Sequence, residues 1–311
     1  RDPRAGYARD FVDLIDRLLP ELAENNIRVV ANAGGLNPEG CRAAILASAG
    51  RHGLNVKVAA ITGDDISGRL DELGAKGVEF RNLDTGEALA TIRPRVRSAN
   101  AYLGAFPIAA ALDAGAQIVV TGRCADAALA LGPMIHEFGW RPDNWDRLAA
   151  GVVGGHAIEC GAQVTGGNCQ DDWETIPNLS DIGYPILEVD ADASMVVTKH
   201  AGTGGRVTVA GVTEQLLYEL GDPRAYLTPD CVADFTTVQL AQDGPDRVRI
   251  SGVRGAPATA YYKVSISYSA GFKALGQLAY TWPGAYRKAQ AGACILRERI
   301  DRLGLRFDAV H

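Results

Sequence analysis

The chain has 311 residues, is 47% hydrophobic and 22% charged, and carries a net charge of −6 with a pI near 5.4. That length allows a large core and two domains, and the composition is that of an ordinary globular protein. The acidic balance without any basic block argues against nucleic acid as a partner, and no run is long and apolar enough to span a bilayer.

Six cysteines (Cys41, Cys124, Cys160, Cys169, Cys231, Cys294) form no CxxC pair and are scattered through apolar stretches. This fits reduced thiols in a cytoplasmic protein rather than a disulfide framework. No signal peptide is visible. The opening Arg1-Asp2-Pro3, without Met, reads as a fragment or a renumbered chain.

In chain order, residues 7–24 place Phe11, Val12, Leu14, Ile15, Leu18, Leu19 and Leu22 on one helical face. Residues 27–31 read as a short strand that runs into Asn32-Ala33-Gly34-Gly35-Leu36-Asn37-Pro38, with Asn37 as N-cap and Pro38 in the first turn of a helix reaching Gly53. A second strand covers 56–61 and ends at Thr62-Gly63-Asp64-Asp65. Strand, helix, strand in that order is a βαβ unit with parallel pairing. Residues 66–99 are less regular, with a helix around Leu70 and Leu73 and polar turns at 82–86. An Ala-rich helix is predicted over 101–115, then a buried strand at 117–120, then Thr121-Gly122-Arg123-Cys124-Ala125-Asp126 and a helix from Ala127 to Ile135.

The 121–126 turn is the first candidate site. Ligands of open α/β sheets sit past the carboxyl ends of the strands, where a helix N-terminus offers free N–H groups. Arg123 adds a bidentate donor for a carboxylate or phosphate. Asp126 reads either as a general base or as the group that holds Arg123; both readings stand. The Asn32–Pro38 turn is a second strand–glycine–helix junction, and the two turns are expected to border one cleft.

The second candidate lies in a helix over 148–161, where His156 and Glu159 are three apart and share a face. A His beside a carboxylate is a general base or half of a metal site; the same pair also serves as a satisfied polar contact inside a packed interface. Only two metal ligands are visible there, and a zinc site needs three from the protein. Asp64 and Asp65 are an acidic pair of the kind that more often caps than binds metal.

Beyond residue 185 the pattern changes. Met195–Thr198 is a strand, followed by the loop Lys199-His200-Ala201-Gly202-Thr203-Gly204-Gly205-Arg206, then Val207-Thr208-Val209 and a helix over 213–220. The loop lacks the GxxxxGK[ST] spacing of a nucleotide P-loop but suits a CoA phosphate or a carboxylate. Two hairpins are predicted, 235–240 with 247–251 and 262–268 with 274–280, then a helix over 285–303. The expected fold class is α/β: a parallel sheet of βαβ units with Rossmann-like strand-end loops in residues 1–180, followed by an α+β domain with antiparallel hairpins in 185–311.

Four blocks carry a resemblance: Asn32-Ala33-Gly34-Gly35-Leu36-Asn37-Pro38; Thr121-Gly122-Arg123-Cys124-Ala125-Asp126-Ala127-Ala128-Leu129; Gly155-His156-Ala157-Ile158-Glu159-Cys160-Gly161 with Ala162-Gln163-Val164-Thr165-Gly166-Gly167; and Gly202-Thr203-Gly204-Gly205 with Thr213–Glu219. In order and over nearly the whole chain they resemble the acyclic terpene utilisation (AtuA-like) family. The resemblance implies a role in the breakdown of citronellol- and geraniol-like compounds through CoA thioesters. It also implies a further glycine-rich strand–loop before residue 1 and a continuation past residue 311, and prolines where this chain has His200-Ala201.

The function expected on these grounds is a lyase or hydratase acting on an acyl-CoA or branched hydroxy acid. His156, Glu159 and Asp126 are the proton-moving candidates. Arg123 with Asn32, Gly34, Gly35, Thr165, Asn168, Lys199 and Thr203 would bind the substrate. No cofactor is expected, CoA entering only as part of the substrate, and hydride transfer is disfavoured because GxGxxG follows none of the predicted strands. The expected partners are a small-molecule substrate and a second copy of the chain or a partner subunit. The alternatives are an accessory subunit of an acyl-CoA-processing assembly and a metal-dependent hydrolase using Asp64, Asp65, His156 and Glu159.

Overall fold

The computed structural model describes residues 5–167 and 173–309. Asn168, expected in the site, and Cys169 lie outside the described residues. Periodicity turns into structure first at α1 (Arg9–Glu24), whose Ile15 and Leu19 are buried. After β1 (Val29–Ala31), α2 (Pro38–Arg51) starts where the sequence predicts: the Asn37 side chain accepts a 3.0 Å bond from the Gly40 amide, and Pro38 occupies the first turn. β2 (Val58–Ile61), the short α3 (Leu70–Ala75) and β3 (Val96–Ala101) follow.

The helix expected over 101–115 is shorter, because β3 runs to Ala101; α4 spans Phe106–Asp113. Then come β4 (Ile118–Thr121), α5 (Ala128–Phe138) and α6 (Trp145–Ile158).

β1 and β2 are both parallel to β4, and β4 lies between them, in the order β1-β4-β2. The two strands of the predicted βαβ unit are therefore not neighbours. β4 is buried along its length, as a strand covered on both faces must be. Its alternation divides the core: Ile118 and Val120 pack with α1 and α2, and Val119 packs with α4, α5 and α6.

The second half of the first unit is antiparallel. β5 (Pro185–Val189), β6 (Met195–Lys199), α7 (Val209–Leu217), β7 (Tyr226–Leu227), β8 (Val232–Asp234), β9 (Gln239–Gln242), β10 (Val248–Ser251), β11 (Arg254–Ala256) and β12 (Val264–Tyr268) follow in order. They form sheets β5-β6-β10-β9, β11-β8-β7 and β12-β3. The predicted hairpin around 243–246 is the β9–β10 pair. α7 starts four residues earlier than the helix expected from Thr213, because the Thr208 side chain caps the Gly211 amide. The hairpin of 262–268 with 274–280 does not form either. β12 pairs antiparallel with β3 instead, burying Ala99 in a cluster with Val264 and Ile266. One hydrophobic core runs from Ala105 to Ile250 and joins α4, α5 and α6 to β6, β10 and α7. The fold is thus mixed α/β, parallel first and antiparallel after.

The chain divides into two compact units, Arg1–Tyr268 and Ser269–His311. The second holds α8 (Ala285–Arg302) and no strand among its described residues. Among the described residues no helix is long and apolar enough to cross a membrane.

Asp230 fixes where α4 begins. Its two carboxylate oxygens accept the Ala105 amide at 2.9 and 3.0 Å. Burial pushes this carboxyl up to about 6, opposed by the Ala105 and Phe106 amides. A carboxyl raised from about 3.9 in the unfolded chain favours the folded state while protonated, and that contribution is lost as pH rises from about 4 to about 6. Two pKa units amount to about 3 kcal/mol. Urea unfolding across pH 4–7 is expected to show this decline in wild type and its absence in Asp230→Asn.

Candidate functional site

β4 ends at Thr121, and the next residues meet a buried carboxylate from the end of β2. Asp64 is 3% exposed. Its Oδ2 accepts the Arg123 amide at 2.8 Å and the Asn100 side-chain amide at 2.8 Å. Gly122 lies against the same carboxylate, so closely that a Cβ there would overlap both oxygens. Asp65 is exposed and caps the Ser67 amide at 2.9 Å. The acidic pair thus builds turns. Among the described residues no group of three or more His, Cys, Asp or Glu side chains is placed to hold a metal ion.

With its backbone held by Asp64, Arg123 projects over the Tyr102 ring, 4.9 Å from guanidinium carbon to ring centroid. Its Nη2 donates to Asp126 Oδ1 at 2.6 Å, and its Nε donates to the Cys124 carbonyl at 3.0 Å. Asp126 is 52% exposed, so of the two roles open to it the geometry displays the one that positions Arg123. Tyr102 is brought there by an extended segment that bonds to the turn, Leu103 amide to Arg123 carbonyl (3.2 Å) and Ala125 amide to Leu103 carbonyl (2.9 Å).

The Asn32–Pro38 turn adjoins this one. A Cβ on Gly34 would stand 2.6 Å from the Thr121 carbonyl oxygen and 2.9 Å from Pro38. Asn32 and Gly35 are exposed beside it, Asn32 accepting the Gly35 amide at 3.3 Å. The two glycine turns expected to border one cleft are in contact.

His156 is reached from the other side. α6 packs on the start of α5 at Gly155, whose added Cβ would be 2.8 Å from Ala127. His156 is 1% exposed, its ring 5.6 Å from both Tyr226 and Phe235. Its Nδ1 stands 2.9 Å from Glu159 Oε1, without forming a hydrogen bond. Both His156 ring nitrogens, Glu159 Oε2 and Gln215 Oε1 are buried without a hydrogen-bond partner among the described residues, while Gln215 Nε2 donates to the His156 carbonyl at 2.8 Å. Each such orphan costs about 1–3 kcal/mol. Buried polar atoms gathered without partners are often functional. Glu159, 16% exposed, is the member of the pair nearer solvent.

Tyr226 links the two groups. Its hydroxyl is pushed up to about 12 by burial first, then by the carboxylates of Glu159, Asp126 and Glu219. Asp126 and Glu159 thus act on one phenol, which stays protonated throughout the physiological range.

Thr165, Lys199 and Thr203 form a second group. The buried Thr165 hydroxyl donates to the Gly183 carbonyl at 2.6 Å, and its carbonyl accepts the Arg206 amide at 2.7 Å. The Lys199 side chain is 5% exposed, donating to the Thr203 carbonyl at 2.9 Å and lying 3.4 Å from Asp246. These contacts brace the 199–206 loop from within.

Sequence reasoning passed over Tyr102 and Tyr226, which have no motif around them, and gave no role to Gln215, which lies in the Thr213–Glu219 block. Asp64 it noticed for its position, as a metal candidate, without its partner Asn100.

The family model for acyclic terpene utilisation family protein AtuA matches residues 1–311. A strand-end site on a mixed α/β scaffold thus sits in a chain that belongs to the acyclic terpene utilisation AtuA family. No curated protein and no solved structure matches the chain.

Gly122→Ala is expected to cost about 1–3 kcal/mol through overpacking against Asp64. A urea titration of the purified variant measures this; an unchanged midpoint would show that Asp64 moves aside freely.

Proposed function

We propose that this chain is a lyase or hydratase of acyclic terpene or branched acyl catabolism, working by acid–base chemistry on a carboxylate or CoA thioester. The observation that carries the reading is the cluster of polar atoms on His156, Glu159 and Gln215 that have no hydrogen-bond partner among the described residues, packed beside the turn that presents Arg123. A buried base next to an anion-binding guanidinium is the equipment for moving a proton near a carbonyl.

Arg123 keeps Nη1 for the substrate, since Nη2 and Nε are engaged by Asp126 and Cys124. Asn32 and the Gly34–Gly35 turn face the thioester or carboxyl oxygen. Glu159, which His156 approaches to 2.9 Å, takes the proton from the carbon next to the carbonyl. The carbon–oxygen bond one position further breaks, and the departing hydroxyl receives that proton and leaves as water. Hydration is the reverse. His156 is a positioning residue in this scheme, because its burial keeps it from the substrate. Tyr226, protonated, offers a hydrogen bond. Thr165, Lys199 and Thr203 shape the neighbouring loop, where a CoA phosphate would rest.

Glu159→Gln is expected to lower kcat by about 100-fold or more with little change in KM, the usual scale for a general base. Arg123→Ala is expected to raise KM chiefly. Both are read on a panel of branched 3-hydroxyacyl-CoA esters and their free acids. Full activity in both variants sinks the site assignment.

An assembly of identical chains belongs to the same reading. The unit Ser269–His311 leaves Phe272, Leu275 and Trp282 more than four-fifths exposed, which favours a partner surface. Light scattering behind a sizing column is expected to give a mass above that of one chain, 32.9 kDa; a strict monomer removes this part of the proposal.

A further inference from the structure

The strand-end site has a second cation, contributed from 140 positions further along the chain. Lys263 precedes β12, and its carbonyl accepts the Tyr102 amide at 2.9 Å. That bond continues the β3–β12 ladder by one step and sets Lys263 beside the ring that carries Arg123. The Lys263 ammonium is 5.2 Å from the Tyr102 centroid, and the Arg123 guanidinium carbon is 4.9 Å from it. The two charges therefore lie within about one Debye length, ~10 Å, of each other, with one aromatic ring as their common support.

The two cations differ in what already neutralises them. Arg123 is paired with Asp126 at 2.6 Å. Asp64, at the same turn, is buried and engaged by two amides. Lys263 is exposed, and no carboxylate among the described residues pairs with it. Arg123 therefore brings directed N–H donors with little net charge, and Lys263 brings charge.

Resting on the reading of this turn as the substrate site, we infer that Lys263 is a substrate-binding residue of the same site, and that it and Arg123 together hold an oxyanion, a carboxylate or a phosphate, beside Tyr102. The division of labour has a consequence: the salt dependence of binding belongs to Lys263, and geometric selectivity belongs to Arg123.

The test is a calorimetric titration of the full chain with 3-hydroxybutyrate in one arm and inorganic phosphate in the other, at low and high salt. Lys263→Gln, Lys263→Arg and Arg123→Ala are compared with wild type. Lys263→Gln is expected to weaken at least one ligand about tenfold and to flatten its salt dependence, while Lys263→Arg restores both. The arm that responds tells carboxylate from phosphate. Lys263 is exposed, so the melting temperature should not move. Unchanged affinity and salt slope in Lys263→Gln, with Arg123→Ala weakened, would overturn the role of Lys263 and leave the proposed function standing. Unchanged affinity in both variants removes the anion site altogether, and no binding by wild type in either arm overturns the inference as well.

Discussion

The Asp64 carboxylate is the constraint from which the candidate site is built. It is buried at the end of β2 and binds the Arg123 amide past the end of β4, while Asn100 reaches it from β3. A buried charge is tolerated only where donors surround it, and a charged hydrogen bond contributes about 1.5–3 kcal/mol. One side chain thereby ties three strand ends together. The tie requires a residue without a side chain at position 122, where a Cβ would overlap the carboxylate. Arg123 can then project from a backbone that is already fixed, which lowers the entropic cost of using it.

Around that tie, β4 acts as the spine. Its alternating residues belong to different hydrophobic clusters, Ile118 and Val120 to one and Val119 to the other. The second cluster extends to Met195, Val212 and Ile250, so α6 and α7 are positioned by the core that also seats the 121–126 turn. That shared packing places Glu159 where it acts electrostatically on Tyr226 together with Asp126. Membership of the AtuA family covers the whole chain, and its name links the protein to acyclic terpene utilisation. The chemistry assigned to the site rests on the orphaned polar atoms and on Arg123.

Local rules made much of this legible in the sequence alone. Asn37 and Pro38 mark a helix start because capping is decided within four residues, and the Asn37–Gly40 bond fulfils it. The apolar run at 117–120 announces a buried central strand. The three-residue spacing of His156 and Glu159 puts them on one face, and the two approach to 2.9 Å. Arg123 and Asp126, also three apart, meet at 2.6 Å across the non-helical turn. Each is a short-range consequence of helix or turn geometry.

What the tertiary structure decided is everything that depends on which strand pairs with which. Period-two alternation marks 262–268 as a strand but names no partner, and pairing with β3 wins over the local hairpin because it buries Ala99, Val264 and Ile266 together. That choice carries Lys263 to Tyr102. The order β1-β4-β2 likewise brings the Gly34 turn against Thr121, a contact no spacing encodes. In the sequence Asp64 is one half of an acidic pair of the capping kind, and only the meeting of three strand ends makes it the buried anchor of the candidate site. Sequence alone determined the capped start of α2, the buried central strand and the close pairs three residues apart, because each is decided locally; long-range pairing determined which strands form and which groups face one another.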